Sequence, residues 1–337
     1  MAENSTAADK IEQVFDQMKD KSVVVLGDVM LDSYLWGKVD RISPEAPVPI
    51  VHIQKEELRL GGAANVALNL AALGARVHLF SVAGNDSYST ALKELLEQSA
   101  ISHQHILLSH DRPTTRKTRI MARNQQVMRL DNELSINLPK DLEDKVLERL
   151  EGFFEEQKPQ LLILEDYNKG VLTPRIIQES IRLATQHNII TAVDPKHDNF
   201  FLYKGVTIFK PNLGEIKAAL NLNNLKDINL ETLSAMHEGL FKELGHLYSL
   251  FTLSEKGVFY QKSGDNPKLI AAKIRNIADV SGAGDTVIAV ISLVYALTQD
   301  MNLAAELGNI AGGLVCEQVG TAAINKSLLL SEALKHL

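Results

Sequence analysis

The stretch Asp279-Val280-Ser281-Gly282-Ala283-Gly284-Asp285-Thr286 runs directly into the apolar run Val287-Ile288-Ala289-Val290. Small residues at a helix start let backbone N–H groups converge, and the helix dipole adds to their attraction for negative charge. Asp285 stands in the same first turn, where it could take a proton while an adjacent phosphoryl group is held. Moving phosphate onto an alcohol needs that pairing of a general base with an anion site. A plain helix with glycines before it and an acidic first turn has the same pattern, so the motif alone leaves both readings open.

Elements must bring further groups to such a site. Apolar runs over 23–26, 161–164 and 189–193 read as buried strands ending at Gly27-Asp28, Glu165-Asp166 and Asp194-Pro195. Ile208-Phe209 leads into Lys210-Pro211-Asn212, 250–253 leads into Ser254-Glu255-Lys256-Gly257, and 77–82 is a further strand. Helical segments over 11–19, 61–73, 91–98 and 174–185 lie between or before them. This alternation predicts an α/β fold with a mainly parallel sheet and helices on both faces. Ligands in such folds gather beyond the carboxyl ends of the strands, where Asp28, Asp166, Asp194, Asn212 and Thr252 fall.

Two segments break the alternation. Residues 37–53 contain Pro44, Pro47 and Pro49 and read as extended edge strands, while 114–130 alternates and turns at Arg123-Asn124-Gln125-Gln126 as a hairpin. Together they predict a small β-lid, from about 34–55 and 112–131, on a single domain spanning 1–337. The hairpin carries Arg112, Arg116, Lys117, Arg119, Arg123 and Arg129 with no acidic residue from 112 to 129. Strand alternation puts Lys117, Arg119 and Arg123 on one face, which either meets water or binds an anion such as phosphate.

Other clusters keep two readings each. Asp28 and Asp32 flank an apolar turn and could hold sugar hydroxyls, bind a metal or cap a helix. Gly61-Gly62, one turn before Asn65, admits a polar ligand close to the backbone or simply opens a helix. Asn212 and Glu215 are spaced as a capping box, or as an amide and carboxylate that serve Mg²⁺-bound water near phosphates.

Several classes are excluded. No GxxxxGK[ST], no GxGxxG after the first strand and no HExxH occurs, and Cys316 is the single cysteine, so no intrachain disulfide or cysteine metal cage can form. A net charge of −7 argues against a nucleic-acid partner. Residues 1–10 are polar without an apolar signal core, and no run approaches the ~20 apolar residues of a membrane span. The expectation is a cytoplasmic, soluble protein.

The ordered set Gly61-Gly62-Ala63-Ala64-Asn65-Val66-Ala67, Gly84-Asn85-Asp86, Asn212-Leu213-Gly214-Glu215, Thr252 to Gly257 and Asp279 to Thr286 resembles the ribokinase-like, phosphofructokinase-B type carbohydrate kinases. The resemblance extends from Val23 to about Ala323. Within that family, Gly27 to Asp32, Arg41 to Pro49, Ala122 to Gln126, Asp166 to Gly170 and Asp194-Pro195-Lys196 are most similar to D-glycero-β-D-manno-heptose 7-phosphate kinases of lipopolysaccharide core synthesis. Many of that subgroup continue into a nucleotidyltransferase domain, whose histidine-rich signature is absent here, so a stand-alone kinase is expected.

The resemblance implies a three-layer α/β/α fold and an ATP-dependent kinase acting on the 1-hydroxyl of the heptose. The alternatives are a family kinase for another sugar and a non-catalytic sugar- or nucleotide-binding regulator. It implies Asp285 as the base and the N–H groups of Gly282, Ala283 and Gly284 as the phosphoryl site. Asp28, Asp32, Gly61, Gly62, Asn65 and Asp166 would line the sugar, and Lys117, Arg119 and Arg123 the 7-phosphate, with Lys169 and Lys196 as further cations. Asn212 and Glu215 would serve Mg·ATP, Thr252, Ser254 and Gly257 the nucleotide, and Asn309 and Gly313 the adenine edge. Asp279 and the Ser281 carbonyl would hold a monovalent cation, K⁺. Exposed lid strands invite pairing across two copies, so a homodimer is expected.

Overall fold

A computed structural model describes residues 7–19, 21–122, 125–273 and 275–337. From the N-terminus, helix α1 (Ala7–Gln17) precedes strands β1 (Ser22–Gly27), β2 (Val29–Ile42) and β3 (Pro49–Gly62). There follow α2 (Ala63–Ala72), β4 (Arg76–Gly84), α3 (Ser87–Gln98), β5 (Ile106–Ser109), β6 (Arg116–Ala122) and β7 (Gln125–Asn132). The middle of the chain forms α4 (Lys140–Gln157), β8 (Leu161–Glu165), α5 (Pro174–Gln186), β9 (Ile190–Asp194), β10 (Ile208–Phe209), α6 (Leu213–Ala219) and α7 (Leu230–Leu244). Last come β11 (Tyr248–Thr252), β12 (Val258–Lys262), β13 (Lys268–Ile270), α8 (Ala283–Thr298), α9 (Met301–Val315) and α10 (Lys326–His336).

The central sheet has nine strands in the order β13-β12-β11-β10-β9-β8-β1-β4-β5. Strands from β5 through β11 run parallel, while β12 and β13 are antiparallel. Val23 and Val25 of β1 pack with α2, α8 and α9, whereas Val24 and Leu26 pack with α4, α5 and α7. Burial on both faces explains why these strands read as unbroken apolar runs. The result is the three-layer arrangement expected, with the strand ends Gly27, Glu165, Asp194 and Phe209 along one edge.

The lid is a second sheet in the order β3-β2-β6-β7. It is longer than expected. Residues 29–32 are the start of β2 and not an apolar turn, because β2 pairs with β3 as far as Val29 opposite Gly62. Gly61 and Gly62 accordingly close β3, and α2 begins at Ala63. Gly62 has φ of +56°, and a Cβ there would lie 2.4 Å from the Asp28 carbonyl oxygen. Only glycine lets the lid strand turn into α2 so close to the end of β1. No helix among the described residues is long and apolar enough to cross a membrane.

Candidate active site

Helix α8 starts beside the ends of β8 and β9. Its N-cap, Gly282, has φ of +78° and lies beneath Asn65, since an added Cβ would meet the Asn65 amide nitrogen at 2.7 Å. Ala283 N–H donates to the Val280 carbonyl at 3.3 Å, while nothing among the described residues accepts from the N–H groups of Gly282 and Gly284. Those donors are what an anion would meet at this helix end.

Asp285 is 3% exposed in the first turn of α8. Tyr167 donates its hydroxyl to Oδ1 at 2.8 Å, and the Asn65 amide donates to Oδ2 at 2.7 Å. Burial pushes the Asp285 carboxyl up to about 6; the two hydrogen bonds and nearby Lys210 oppose the rise, and Asp194 adds to it. A carboxylate so poised can accept a proton near neutral pH. Asn69 steadies the pair: its amide donates to the Asn65 carbonyl at 2.9 Å and its oxygen accepts from Thr286 at 3.0 Å.

Behind Asp285 lies a charge cluster. Glu165 and Asp194 are register partners at the ends of β8 and β9, and their carboxylates and that of Asp285 lie within 4.8 Å of one another. Lys210, 2% exposed, donates to Asp194 at 2.7 Å, and Lys196 reaches Asp194 at 3.4 Å and Glu215 at 2.8 Å. Burial, then Asp194 and Asp285, hold the Glu165 carboxyl well above the usual carboxylate range, and neither of its oxygens has a hydrogen-bond partner. With Glu165 neutral, the carboxylates of Asp194, Glu215 and Asp285 face two cations, Lys196 and Lys210. A Cβ on Gly284 would lie 3.7 Å from Asp194 Oδ2 and 3.8 Å from the Lys210 ammonium, so this ion pair stands beside the start of α8. Glu165 and Lys210 escaped sequence reading, although both sit at strand ends as charged residues in apolar surroundings.

The remaining expected residues divide by what they touch. Asp32 pairs with Arg119, and a Cβ on Gly61 would sit 2.7 Å from the Asp32 carboxylate, so Asp32, Gly61 and Arg119 line the lid side of the cleft. Lys117 has no hydrogen-bonded partner among the described residues and lies 5.0 Å from the Tyr167 ring centroid. Its burial lowers the ammonium below the ordinary lysine range. Arg123 lies outside the described residues. Asp28 accepts from the backbone N–H groups of Tyr167, Lys169 and Val171 at 2.9–3.0 Å, and Asp166 from Asn168, Asn199 and Tyr203 at 2.6–3.1 Å. Both carboxylates therefore shape the 166–171 loop. Lys169 is turned to Glu133, 2.8 Å away.

On the other side, Asn212 and Glu215 form a reciprocal capping box at α6, and Glu215 also accepts from Lys196. Thr252 bridges to Asn212, and Ser254 and Gly257 shape the following turn with φ of 52° and 96°. Asn309 donates to the Ala271 carbonyl at 2.8 Å, and Gly313 lies beneath the Arg275 side chain. Asp279 accepts from Ser281 N–H and hydroxyl and from Gly320 N–H, each at 2.9 Å. Burial works to raise its carboxyl, but these bonds outweigh it and leave Asp279 below its ordinary value.

A mainly parallel α/β sheet, a β-lid and a buried carboxylate at a helix N-terminus together define a ribokinase-like sugar kinase architecture. The chain belongs to the pfkB family of carbohydrate kinases, which it matches over residues 20–328. It is 41% identical over 330 residues to the bifunctional protein HldE of Koribacter versatilis, covering 97% of this chain and 66% of that protein. It is 40% identical over 331 residues to the HldE protein of Magnetococcus marinus, covering 96% and 66%. The chain thus spans about two thirds of the length of these curated relatives. Arabidopsis thaliana ribokinase complexed with ribose and ATP shares the fold with a TM-score of 0.73 at 17% identity, over 95% of this chain and 100% of that one. Escherichia coli phosphofructokinase-2 in complex with fructose-6-phosphate does so at 0.74 and 15%, over 93% and 99%.

Proposed function

We propose that this chain transfers the γ-phosphoryl group of ATP to the 1-hydroxyl of D-glycero-β-D-manno-heptose 7-phosphate, giving the 1,7-bisphosphate on the route to ADP-heptose. The observation that carries the reading is Asp285, buried between two hydrogen-bond donors at the open N-terminus of α8. The motifs similar to heptose kinases and the relatives named HldE support the choice of sugar.

Asp285 takes the proton of the 1-hydroxyl, whose oxygen then bonds to the γ-phosphorus as the bond to the ADP oxygen breaks. The N–H groups of Gly282 and Gly284, with the Lys210 ammonium beside them, stabilise charge on the moving group. Asp32, Gly61, Gly62 and Asn65 line the sugar, while Asp28 and Asp166 hold the loop that faces it. Of Lys117 and Arg119, the two expected phosphate cations among the described residues, Lys117 is the one open to the 7-phosphate, because Arg119 is engaged by Asp32. Asn309 and Gly313 flank the adenine edge, and Thr252, Ser254 and Gly257 the rest of the nucleotide.

Glu215 is 15% exposed and accepts one bond on each carboxylate oxygen, from Asn212 N–H and from Lys196. Its remaining lone pairs fit it to hold a water of Mg²⁺ and not the ion itself. Bound Mg²⁺ supplies neutralisation of phosphate charge. Asp279, kept ionised, and the Ser281 carbonyl would hold K⁺.

Coupled measurement of ADP release with Mg²⁺ and ATP tests the substrate. Turnover is expected with the heptose 7-phosphate and not with ribose or fructose 6-phosphate; the reverse would sink the heptose assignment. In the same assay Lys117→Met should raise KM for the sugar phosphate about 10–100-fold with a smaller change in kcat, since a charge-assisted bond is worth ~1.5–3 kcal/mol.

The lid exposes Ile42, Val48, Ile53, Met128 and Leu130. These residues fit a second copy of the lid, so a homodimer is expected. Light scattering should give about twice the chain mass, and a monomer at high concentration would exclude it.

A further inference from the structure

Tyr167 touches three parts of the site at once. Its hydroxyl donates to Asp285 Oδ1 at 2.8 Å, and its ring centroid lies 5.0 Å from Lys117 of the lid and 5.3 Å from Lys196 of the central domain. Its backbone is held as firmly, because Tyr167 N–H donates to the buried Asp28 carboxylate at 2.9 Å, beside bonds from Lys169 and Val171. Burial, then Asp285, Glu165 and Asp194, keep the phenol protonated well above its usual range, so its hydroxyl stays a donor to Asp285.

We propose that Tyr167 is a positioning residue for phosphoryl transfer: its hydroxyl fixes the carboxylate of Asp285 against the N-terminus of α8, and its ring meets the lid cation Lys117. This rests on Asp285 being the base. Oδ2 is fixed by Asn65 from α2, so without Tyr167 the carboxylate keeps one anchor and can rotate about the Cβ–Cγ bond. The charged and titratable groups facing Asp285 are Tyr167 and Glu165 from the end of β8, Asp194 from the end of β9, and Lys210 following β10. None of the others donates a hydrogen bond to it, so nothing among the described residues replaces the phenol.

The test is Tyr167→Phe, which keeps the ring and its two cation contacts and removes one oxygen. Losing a hydrogen bond to the ionised carboxylate raises the pH at which Asp285 gives up its proton. The acid limb of the kcat profile should therefore move up by about one pH unit. At its own optimum the variant should lose about ten-fold in kcat, with KM for ATP and for the sugar phosphate within about two-fold of the parent. A parental kcat with a parental acid limb would overturn the inference, as would an early-melting variant that also loses ATP affinity, since that marks a merely structural role. Carboxyl ¹³C shifts in aspartate-labelled protein, assigned with Asp285→Asn, read the same titration without turnover. If no sugar is phosphorylated, or Asp285→Asn stays active, the base reading fails; the hydrogen-bond inference then stands or falls on whether the Asp285 resonance titrates about one unit higher in Tyr167→Phe.

Discussion

Asp285→Asn is expected to lower kcat by about 10²–10⁴-fold, the range that a positioned general base supplies. The substitution keeps the shape of the side chain and its contact with Tyr167 but removes the ability to take a proton. Because the N–H groups of Gly282 and Gly284 are untouched, affinity for Mg·ATP should change little, and the loss should fall on kcat. Activity of the parent should fall as pH drops through about 6, where Asp285 becomes protonated. Isothermal titration with ATP beside the kinetic assay separates the two effects; a variant with parental kcat would remove Asp285 from the chemistry.

The same carboxylate has a consequence for stability. Its folded-state value is raised from 3.8 to about 6 by burial first, so its contribution to folding is present below about pH 4 and lost as pH rises through about 6. A shift of about two units corresponds to about 3 kcal/mol. Thus Asp285→Asn should melt no lower than the parent at pH 8, which also serves as its folding control. Holding a base ionised in a buried site is one of the ways function opposes stability.

Much of the central domain was legible because its strands are buried on both faces. Residues 161–164 and 189–193 could only be read as apolar strands, and they end within a residue or two of Glu165 and Asp194. The lid was read short because β2 and β3 alternate over residues such as Asp32, Arg59 and Lys55, where polar side chains face the cleft or water and blur the period. Helices α4 and α7 went unread for a different reason. Exposed charged residues such as Glu151 and Glu155 in α4 and Glu231 and Glu243 in α7 fall between the stripe positions and dilute the local apolar content, although the stripes themselves, Leu142, Val146, Leu150 and Leu233, Met236, Leu240, are unbroken and pack against the sheet. In the site, the motif at 279–286 marked Asp285 as a candidate, because the glycines and the carboxylate are adjacent along the chain. The partners of Asp285 come from α2, the ends of β8 and β9 and the segment after β10, so no spacing along the chain could reveal Tyr167, Glu165 or Lys210 beside it. The capping pattern of Asn212 and Glu215 was visible, but not that Lys196 would share the Glu215 carboxylate.

Lys210→Met is expected to cost stability as well as rate, and the charge balance of the cluster sets both. Lys210 and Asp194 are buried with their charged atoms 2.7 Å apart, and removing one member of such a pair typically costs about 3–5 kcal/mol. For a chain of 337 residues that corresponds to a melting temperature lower by roughly 5 °C. Burial works to raise the Asp194 carboxyl, but Lys196 and Lys210 outweigh it and hold it below the ordinary value. Its contribution to folding is therefore present above its unfolded value and lost as pH falls through the folded one. Losing Lys210 removes part of that contribution at neutral pH and little of it once Asp194 is protonated, so the gap in melting temperature should be wide at pH 7 and narrow only as pH falls well below 3.8. The rate should fall too, since a cation beside the anion site is gone and the Asp285 carboxylate, which Lys210 favours, is protonated more readily. Adding Asp194→Asn to Lys210→Met should restore part of the lost melting temperature, because two neutral groups replace one stranded charge. A double variant no more stable than Lys210→Met alone would show that packing of the lysine stem, and not charge balance, is what the cluster needs from Lys210.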